Sequence, residues 1–550
     1  MPRPVSALLL AIASAALGVL LLARLGYPLL WQDEGETAMF ASRVLEFGYP
    51  KVHDGHNVVY EFGANVAVGV KESIDAYIGK TWGDFYFAAP GVWWAQGVDD
   101  VYERTWRLRL PFALAGAAGL AVLLWGALAW VPRPLRVAFS AAFIALNATS
   151  ISLLLHLREL RYYPLLVLVL GAMLALHGRQ LHGAGRRPRG YGILQFLLSV
   201  ALFQIFYVGW FATTGLLVVD AALSLHRRAA GRGELVHTLA PHALGSAAAV
   251  PALIFFETFG VASAFASDVG LSVAGYLANL VLVGSHFLQH ELLLPALLAR
   301  GAVAYGARRA PEAARPAGAA IPPRLLLFTL GYAAVGCLNP LVYERYFVVL
   351  GPLLTLSFLL DGSALLELAP ALLRGRPRST ARRIAFAALL GVALVPLVQR
   401  IPAVRGRVLE IVTPVRGPID FAVEYLRARY PDPSALIVAT NYEAHPLMYY
   451  LGSRVIVGLS RNNIAEERGL TPDVVIPRRA WPRGLPELRR FLARGEYREQ
   501  RLPVLDTHYN NIPSLTASPA TPDPHRFETP AAGPESPGRL RIYQRVDGPL

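Results

Sequence analysis

Eleven long apolar runs fill most of the first 400 residues of this 550-residue chain. About twenty apolar residues in a helix cross the ~30 Å hydrocarbon core of a bilayer. Lipid offers no partner to an unpaired backbone group, so a chain with many such runs is confined to a helical membrane bundle. The runs lie near 5–22, 110–131, 136–156, 163–177, 191–207, 211–226, 239–256, 273–299, 324–342, 346–360 and 384–400. The first follows the basic start Met1-Pro-Arg-Pro4 and reads as a retained helix. It is long for a signal-peptide core, and Ala11 to Ala16 offers only a weak cleavage site. The run at 273–299 is the least regular, because Ser285-His286 and Gln289-His290-Glu291 interrupt it. Composition agrees: 54% of residues are apolar and 16% charged, against ~25% charged in a soluble domain. Disorder, a coiled coil and an ordinary cytosolic enzyme are excluded.

The net charge of +14 is mostly topology. Arg133 and Arg136, Arg179 to Arg189, Arg227 to Arg232, Arg308 to Arg315, and Arg374 to Arg383 fall in alternate connections, while 207–210 and 257–272 carry no cation. This positive-inside pattern places the N-terminus in the cytoplasm and makes 31–109 the first outer loop. Nucleic-acid binding is set aside. Cys337 is the single cysteine, so an internal disulfide and a cysteine-based zinc site are both excluded.

From about Gly406 the apolar runs shorten to strand length, at 435–439, 454–458 and 473–476. Helical patterns separate them at 419–430, 445–451 and 485–493. Such alternation predicts a small α/β domain with a partly parallel sheet. Residues 511–537, rich in Pro, Ser, Thr and Ala, read as an irregular arm. The expected fold is therefore a polytopic α-helical membrane module of about eleven helices, 1–400, followed by an extracytoplasmic α/β domain, 401–550.

The most informative string is Trp31-Gln-Asp-Glu-Gly-Glu36, directly after the first helix. A carboxylate at the membrane boundary is partly desolvated, which raises its basicity and suits a general base. The plainer reading is that Asp33 and Glu34 cap a helix starting near Glu36. The loop around them adds more. An 80-residue connection without structure is improbable, and this one carries Ala38, Ala41, Val44 and Leu45 at helical spacing, then Tyr86, Phe87, Val92, Trp93 and Trp94. Aromatic residues at that density suit interfacial helices. Lys71, Lys80, Arg104, Arg107 and Arg109 bring cations to the same surface. A base, an aromatic platform and cations are what transfer from a lipid phosphate requires.

Asp33-Glu34, the string Trp82-Gly-Asp-Phe-Tyr-Phe-Ala-Ala-Pro90 and Arg107-Leu-Arg-Leu-Pro-Phe-Ala-Leu-Ala-Gly116 resemble the polyprenyl-phosphate-dependent glycosyltransferases of the GT-C class, in particular the bacterial protein mannosyltransferase and aminoarabinose transferase-like group. The likeness covers the N-terminal third well and the later helices in layout. It implies a GT-C-like fold and an inverting hexosyl- or pentosyltransferase in the bacterial inner membrane. A sugar on a polyprenyl phosphate would be the donor, and a lipid, glycan or protein the acceptor. Asp33 matches the catalytic acid of that group, Glu34 its neighbour, and Arg109 the arginine of the Arg-Leu-Pro string. Lys80 falls where relatives carry a phosphate-binding lysine, in a Lys-Thr-Trp rather than a Lys-Pro-Pro setting, with Lys71 as the alternative. Some members use a divalent metal and others do not; no cofactor and no metal ligand is assigned.

Other strings bear on the same surface. In Leu157-Arg-Glu-Leu-Arg-Tyr-Tyr-Pro164, Arg158 or Arg161 would face the lipid phosphate and Tyr162 or Tyr163 the sugar; the alternative is that the charges snorkel. In Tyr343-Glu-Arg-Tyr346, Arg345 would contact phosphate, or Glu344 and Arg345 would pair with each other. His53, Asp54 and His56 have metal-like spacing but read first as polar loop residues. His286, His290 and Glu291 share a helical face and either line a cavity or sit near a helix end. Gly79-Lys-Thr81 is not a P-loop, because Ile74 occupies the first glycine position. The rival readings are a flippase of lipid-linked sugars, which would spread charge through mid-membrane helices, and a glycan polymerase or ligase, which would carry its large outer loop late in the chain.

Overall fold

The computed structural model describes residues 3–59, 69–182, 190–229, 231–269, 272–311, 320–340, 342–373, 375–457, 469–479, 481, 484–507, 529, 531–533 and 536–548. Most of the arm expected at 511–537 lies outside them.

The chain begins with α1 (Arg3–Leu22), then α2 (Gln32–Phe47), a hairpin of β1 (Val70–Lys71) and β2 (Ala76–Tyr77), and α3 (Gly83–Ala95). The bundle continues through α4 (Val101–Ala127), α5 (Arg136–Asn147), α6 (Tyr163–His182), α7 (Tyr191–Ile205), α8 (Tyr207–Arg227) and α9 (Arg232–Phe255). It is completed by α10 (Thr258–Val269), α11 (Val273–His290), α12 (Leu293–Arg309), α13 (Ile321–Gly336), α14 (Leu350–Leu372) and α15 (Arg378–Gln399). Among the described residues seven helices are long and apolar enough to span a membrane, and the bent pair α11 and α12 makes an eighth. The apolar helices α7 and α13 are shorter. Length and composition thus qualify eight segments, against the eleven the sequence suggests.

Three expected spans differ in ways that shape the site. The run at 136–156 is not one helix. α5 stops at Asn147, and the chain turns through a non-helical stretch to a 3-10 turn at His156–Arg158. The run at 273–299 breaks between α11 and α12, whose axes differ by 78°. The break follows from Glu291, which turns inward to accept from Ser150 Oγ (2.8 Å) and Ser152 N (3.0 Å) and pairs with Arg400 at 3.4 Å. α11 stays at one end of the bundle: Asn279 donates to the carbonyl of Cys337 beyond α13, and His286 meets Ser152 beyond α5. Finally, α4 starts at Val101, not 110. Asp100 caps it by accepting from Tyr102 N and Glu103 N, so Arg104, Arg107 and Arg109 are helical.

Two of the basic positions, Arg179 and Arg228, lie at the end of α6 remote from Tyr163. Arg179 of α6 lies over Trp125 of α4, 3.3 Å from its ring centre, and Arg228 after α8 donates to Leu181 O of α6.

The C-terminal domain contains α16 (Ile401–Val412), α17 (Pro418–Arg429), β3 (Ile437–Thr440), α18 (Ala444–Leu451), β4 (Arg454–Val457), β5 (Val474–Ile476), α19 (Leu485–Leu492), β6 (Tyr497–Leu505) and β7 (Arg539–Arg545). Its sheet runs β4-β3-β5-β7-β6. β3 pairs parallel with β4 and β5, while β7 pairs antiparallel with β5 and β6. The partly parallel sheet expected from the sequence is thus present.

This domain sits directly on the first loop. Leu29 N donates to Asp420, Leu30 N to Tyr450 Oη, and Arg104 to Tyr449 O. Gln32 Nε2 lies 3.0 Å from His445 Nδ1. Apolar residues of α2 and α3 (Ala38, Phe40, Ala41, Phe85) share one core with Ile419, Leu447 and Val438. The closest approach is at Gly35, where a Cβ would stand 2.6 Å from Pro446 Cδ and 2.7 Å from its backbone N. A proline ring cannot swing away. Gly35→Ala should therefore cost about 1–3 kcal/mol through overpacking, more than the ~1 kcal/mol gained in helix propensity. The expected result is a lower thermal midpoint and faster proteolysis between the two domains.

Candidate functional site

The start of α2 carries three acids with different surroundings, Asp33 and Glu34 in its first turn and Glu36 just after. Trp31 is the N-cap in extended backbone, and its side chain makes no capping bond. The helix therefore starts at Gln32, ahead of both acids, and neither Asp33 nor Glu34 is its cap. Glu34 is fully buried and accepts from Arg109 Nε (2.8 Å), Arg109 Nη2 and Leu160 N (2.8 Å). Arg109 spends its remaining Nη1 on the carbonyls of Leu25 (3.0 Å) and Pro28 (2.7 Å). This couple is consumed in tying α2, α4 and the turn before α6 together. Four of the five N–H groups of Arg109 are thereby engaged.

Asp33 is the more open acid, with 15% of its side chain exposed. Its Oδ2 lies 3.5 Å from Nη2 of Arg161 and 3.5 Å from Nη2 of Arg345. Arg161 also donates through Nη1 to Asp33 O at 2.9 Å and to Thr37 Oγ1 at 3.3 Å, and faces Glu36 at 3.6 Å. Burial alone would lower its pKa, but the carboxylates of Asp33 and Glu36 outweigh that and hold it well above the usual arginine value.

Arg345 is bound differently. It is buried among the rings of Trp31, Tyr343 and Tyr346, with centroids 5.1, 4.7 and 5.7 Å from its guanidinium carbon. Its Nε and Nη1 are buried and have no hydrogen-bond partner. Glu344 and Arg345 do not pair with each other, since Glu344 pairs with Arg407.

The remaining candidates separate cleanly. Lys80 is held by Glu36 (3.2 Å) and Asp84 (3.0 Å) and lies over the Phe85 ring at 4.5 Å. Arg158 donates to Leu20 O at 2.9 Å and to Ala23 O, closing the end of α1. Burial and the nearby charge of Arg109 depress its pKa to about 9. Tyr162 stacks on Phe206 and touches Tyr163. Asp33, Arg161 and Arg345 thus come together, Lys80 adjoins them through Glu36, and Glu34, Arg109 and Arg158 are taken up by the framework.

His53, Asp54 and His56 do not converge. Asp54 pairs with Arg43 at 2.7 Å, His53 with Asp75, and His56 Nε2 with Gly452 O at 3.0 Å. Among the described residues no group of three metal-ligating side chains occurs. His286 and Glu291 are held by Ser152 and Ser150 where α11 ends.

Three contributors escaped the sequence reading. Glu36 and Asp84 are buried acids set opposite Lys80. Tyr442 of the C-terminal domain follows β3 and stacks on Trp481 at 4.8 Å. Burial and the neighbouring carboxylates of Glu443 and Asp33 hold its hydroxyl well above the usual tyrosine pKa, which places it within reach of Asp33's charge. The available signal was its place beyond the carboxyl end of a parallel strand flanked on both sides.

No family profile matches the chain, and no curated protein matches it in sequence. Solved structures do. ArnT from Cupriavidus metallidurans bound to undecaprenyl phosphate aligns with a TM-score of 0.54 at 16% identity, over 100% of both chains. Its apo form aligns at 0.51 and 15% identity, over 98% of this chain and 97% of that one. The archaeal oligosaccharyltransferase AglB from Archaeoglobus fulgidus, in complex with an inhibitory peptide and a dolichol-phosphate, aligns at 0.50 and 13% identity, over 85% of this chain and 69% of that one. The fold is GT-C. In this GT-C chain the acid-bearing helix is α2 and its covering module is the β4-β3-β5-β7-β6 domain.

The two adjacent acids should respond oppositely to substitution. Arg109→Met leaves the buried Glu34 without its cation, at a cost of about 3–5 kcal/mol, and should sharply lower the thermal midpoint in detergent. Asp33→Asn, at a part-exposed acid 3.5 Å from each of its arginines, should lower that midpoint far less.

Proposed function

We propose that this chain is a membrane glycosyltransferase that moves a sugar, with inversion, from a polyprenyl-phosphate carrier to an acceptor hydroxyl or amine at the outer face of a bacterial cytoplasmic membrane. The observation that carries the reading is the pairing of Asp33 with Arg345: a part-open carboxylate beside a buried guanidinium that keeps two nitrogens, Nε and Nη1, unspent. The GT-C neighbours, with undecaprenyl phosphate in one and dolichol-phosphate in the other, supply the carrier class.

Asp33 accepts the acceptor's proton as its oxygen or nitrogen bonds to the anomeric carbon. The bond from that carbon to the phosphate oxygen breaks, and its electron pair leaves with the carrier phosphate. Attack opposite the phosphate inverts the centre. Arg345 receives the departing phosphate through its free N–H groups, where charge-assisted hydrogen bonds in a dry site are strongest. Arg161 holds the backbone and side chain of Asp33 in place. Lys80 is the second cation on that side, and Tyr162, Tyr163 and Tyr442 border the sugar.

A positioned base contributes about 10²–10⁴-fold. Asp33→Asn should therefore lower transfer by about that factor while membrane expression persists; full activity with lipid-linked donor supplied would remove Asp33 from the mechanism. Arg345→Ala should weaken undecaprenyl phosphate binding about tenfold to a hundredfold, the equivalent of one or two hydrogen bonds to a charged group. Orientation is read by labelling single cysteines at the exposed positions Glu72 and Arg489 in intact cells: both should react with an impermeant reagent, and a reaction only after lysis would reverse the topology.

A further inference from the structure

Arg345 shares its 3-10 turn, Glu344–Phe347, with a buried carboxylate that belongs to another network. Glu344 pairs with Arg407 of α16, and its Oε1 lies 3.7 Å from Nε2 of His156. His156 is 1% exposed. Its Nδ1 lies 3.2 Å from Oε1 of Glu159 in its own turn. Its ring meets the ring of Tyr163, from α6, at 5.4 Å and 60°. The charge of Arg345 acts on that same Tyr163, and His286 of α11 also acts on Glu344. Two routes therefore lead from His156 to Arg345, one through the neighbouring peptide unit and one through the Tyr163 ring. The transfer step above uses neither His156 nor Glu159 nor Glu344.

We propose that His156 is a positioning residue: as an imidazolium bridging Glu159 and Glu344, it holds the Glu344–Phe347 turn where Arg345 meets the carrier's phosphate.

The charge count supports the bridge. Two buried carboxylates, Glu159 and Glu344, face two cations, Arg407 and protonated His156. A neutral imidazole leaves one buried negative charge uncompensated, which is costly in a dry site. The turn carrying Glu344 then relaxes, and Arg345 moves with it. Burial by itself would lower the His156 pKa, but the carboxylates of Glu159 and Glu344 outweigh it and raise it above the ordinary histidine value. The charge, and the hold on the turn, are thus present at low pH and lost as pH rises through that raised value.

The inference rests on the carrier reading, and one measurement separates the two. Binding of undecaprenyl phosphate to the full chain in nanodiscs is measured from pH 6 to 9 for wild type, His156→Gln and Glu344→Gln. The probe's own second ionisation, at about 6, tightens binding to any arginine as pH rises, so the readout is the ratio of variant to wild-type Kd. That ratio should be about fivefold or more at pH 6, in the range of an ordinary coupling between sites, and should fall toward unity by pH 9. Glu344→Gln should flatten the profile in the same way. A ratio constant across the range overturns the proposal and reduces His156 to a packing residue. If both variants fail to fold, wild type decides alone: affinity that only rises with pH overturns it, and affinity that falls at the alkaline end supports it. Wild type that does not bind the probe at any pH refutes the carrier reading itself.

Discussion

The buried couple of Glu34 and Arg109 is the constraint on which the rest of the site depends. It ties the first turn of α2 to α4, and through Leu160 N to the irregular chain that leads into α6. Breaking either partner leaves a charge in the dry interior, so the couple is effectively all or none. With Glu34 fixed, a helix of 3.6 residues per turn turns Asp33 about 100° away, toward Arg161 and Arg345. One acid is spent on architecture so that the next can be held part-open. The adjacent Glu36 and Asp84 take up Lys80. Asp33, Glu36 and Asp84 then balance Arg161, Arg345 and Lys80 in charge, and in the proposed reaction a carrier phosphate would enter as an added anion, met by the unpartnered Nε and Nη1 of Arg345.

The bundle contributes by being broken. A stretch of non-helical backbone deep in a membrane protein is tolerated only where protein groups satisfy it. Here the chain between α5 and α6 is held by Glu34, Glu291 and hydrogen bonds of its own, such as Leu154 N to Ser150 O. That irregularity aims Arg161 sideways at α2 and Arg158 at the end of α1. A continuous helix would have carried both along its own axis.

The bundle, the basic turns and the mixed sheet were legible because each leaves a periodic or compositional trace. Apolar length marks α4, α6 and α14, and the short runs at 435–439 and 473–476 mark β3 and β5. The breaks were less legible. Ser150, Ser152 and Glu291 stop α5 and part α11 from α12 only because they meet one another across about 140 positions of sequence. The candidate site divides in the same way. Asp33 and Arg345 stand out as residue types beside apolar runs, but Arg109 and Arg158 look equally exposed in sequence and are consumed by carbonyls and Glu34. Tyr442 was out of reach, since its proximity to Asp33 depends on how two domains pack.

The contact between Gly35 and Pro446 has a consequence for how such a chain is taken apart. Helix and domain are interlocked at a spacing that no side chain can fill, and the apolar face of α2 lies in one core with β2, α3 and the strands and helices that follow residue 417. The C-terminal portion is thus less an appended module than one side of the core around α2. Chimeras made by exchanging it between distant members of the fold would need to carry both sides of that seam, or they would bare the helix that bears the acid.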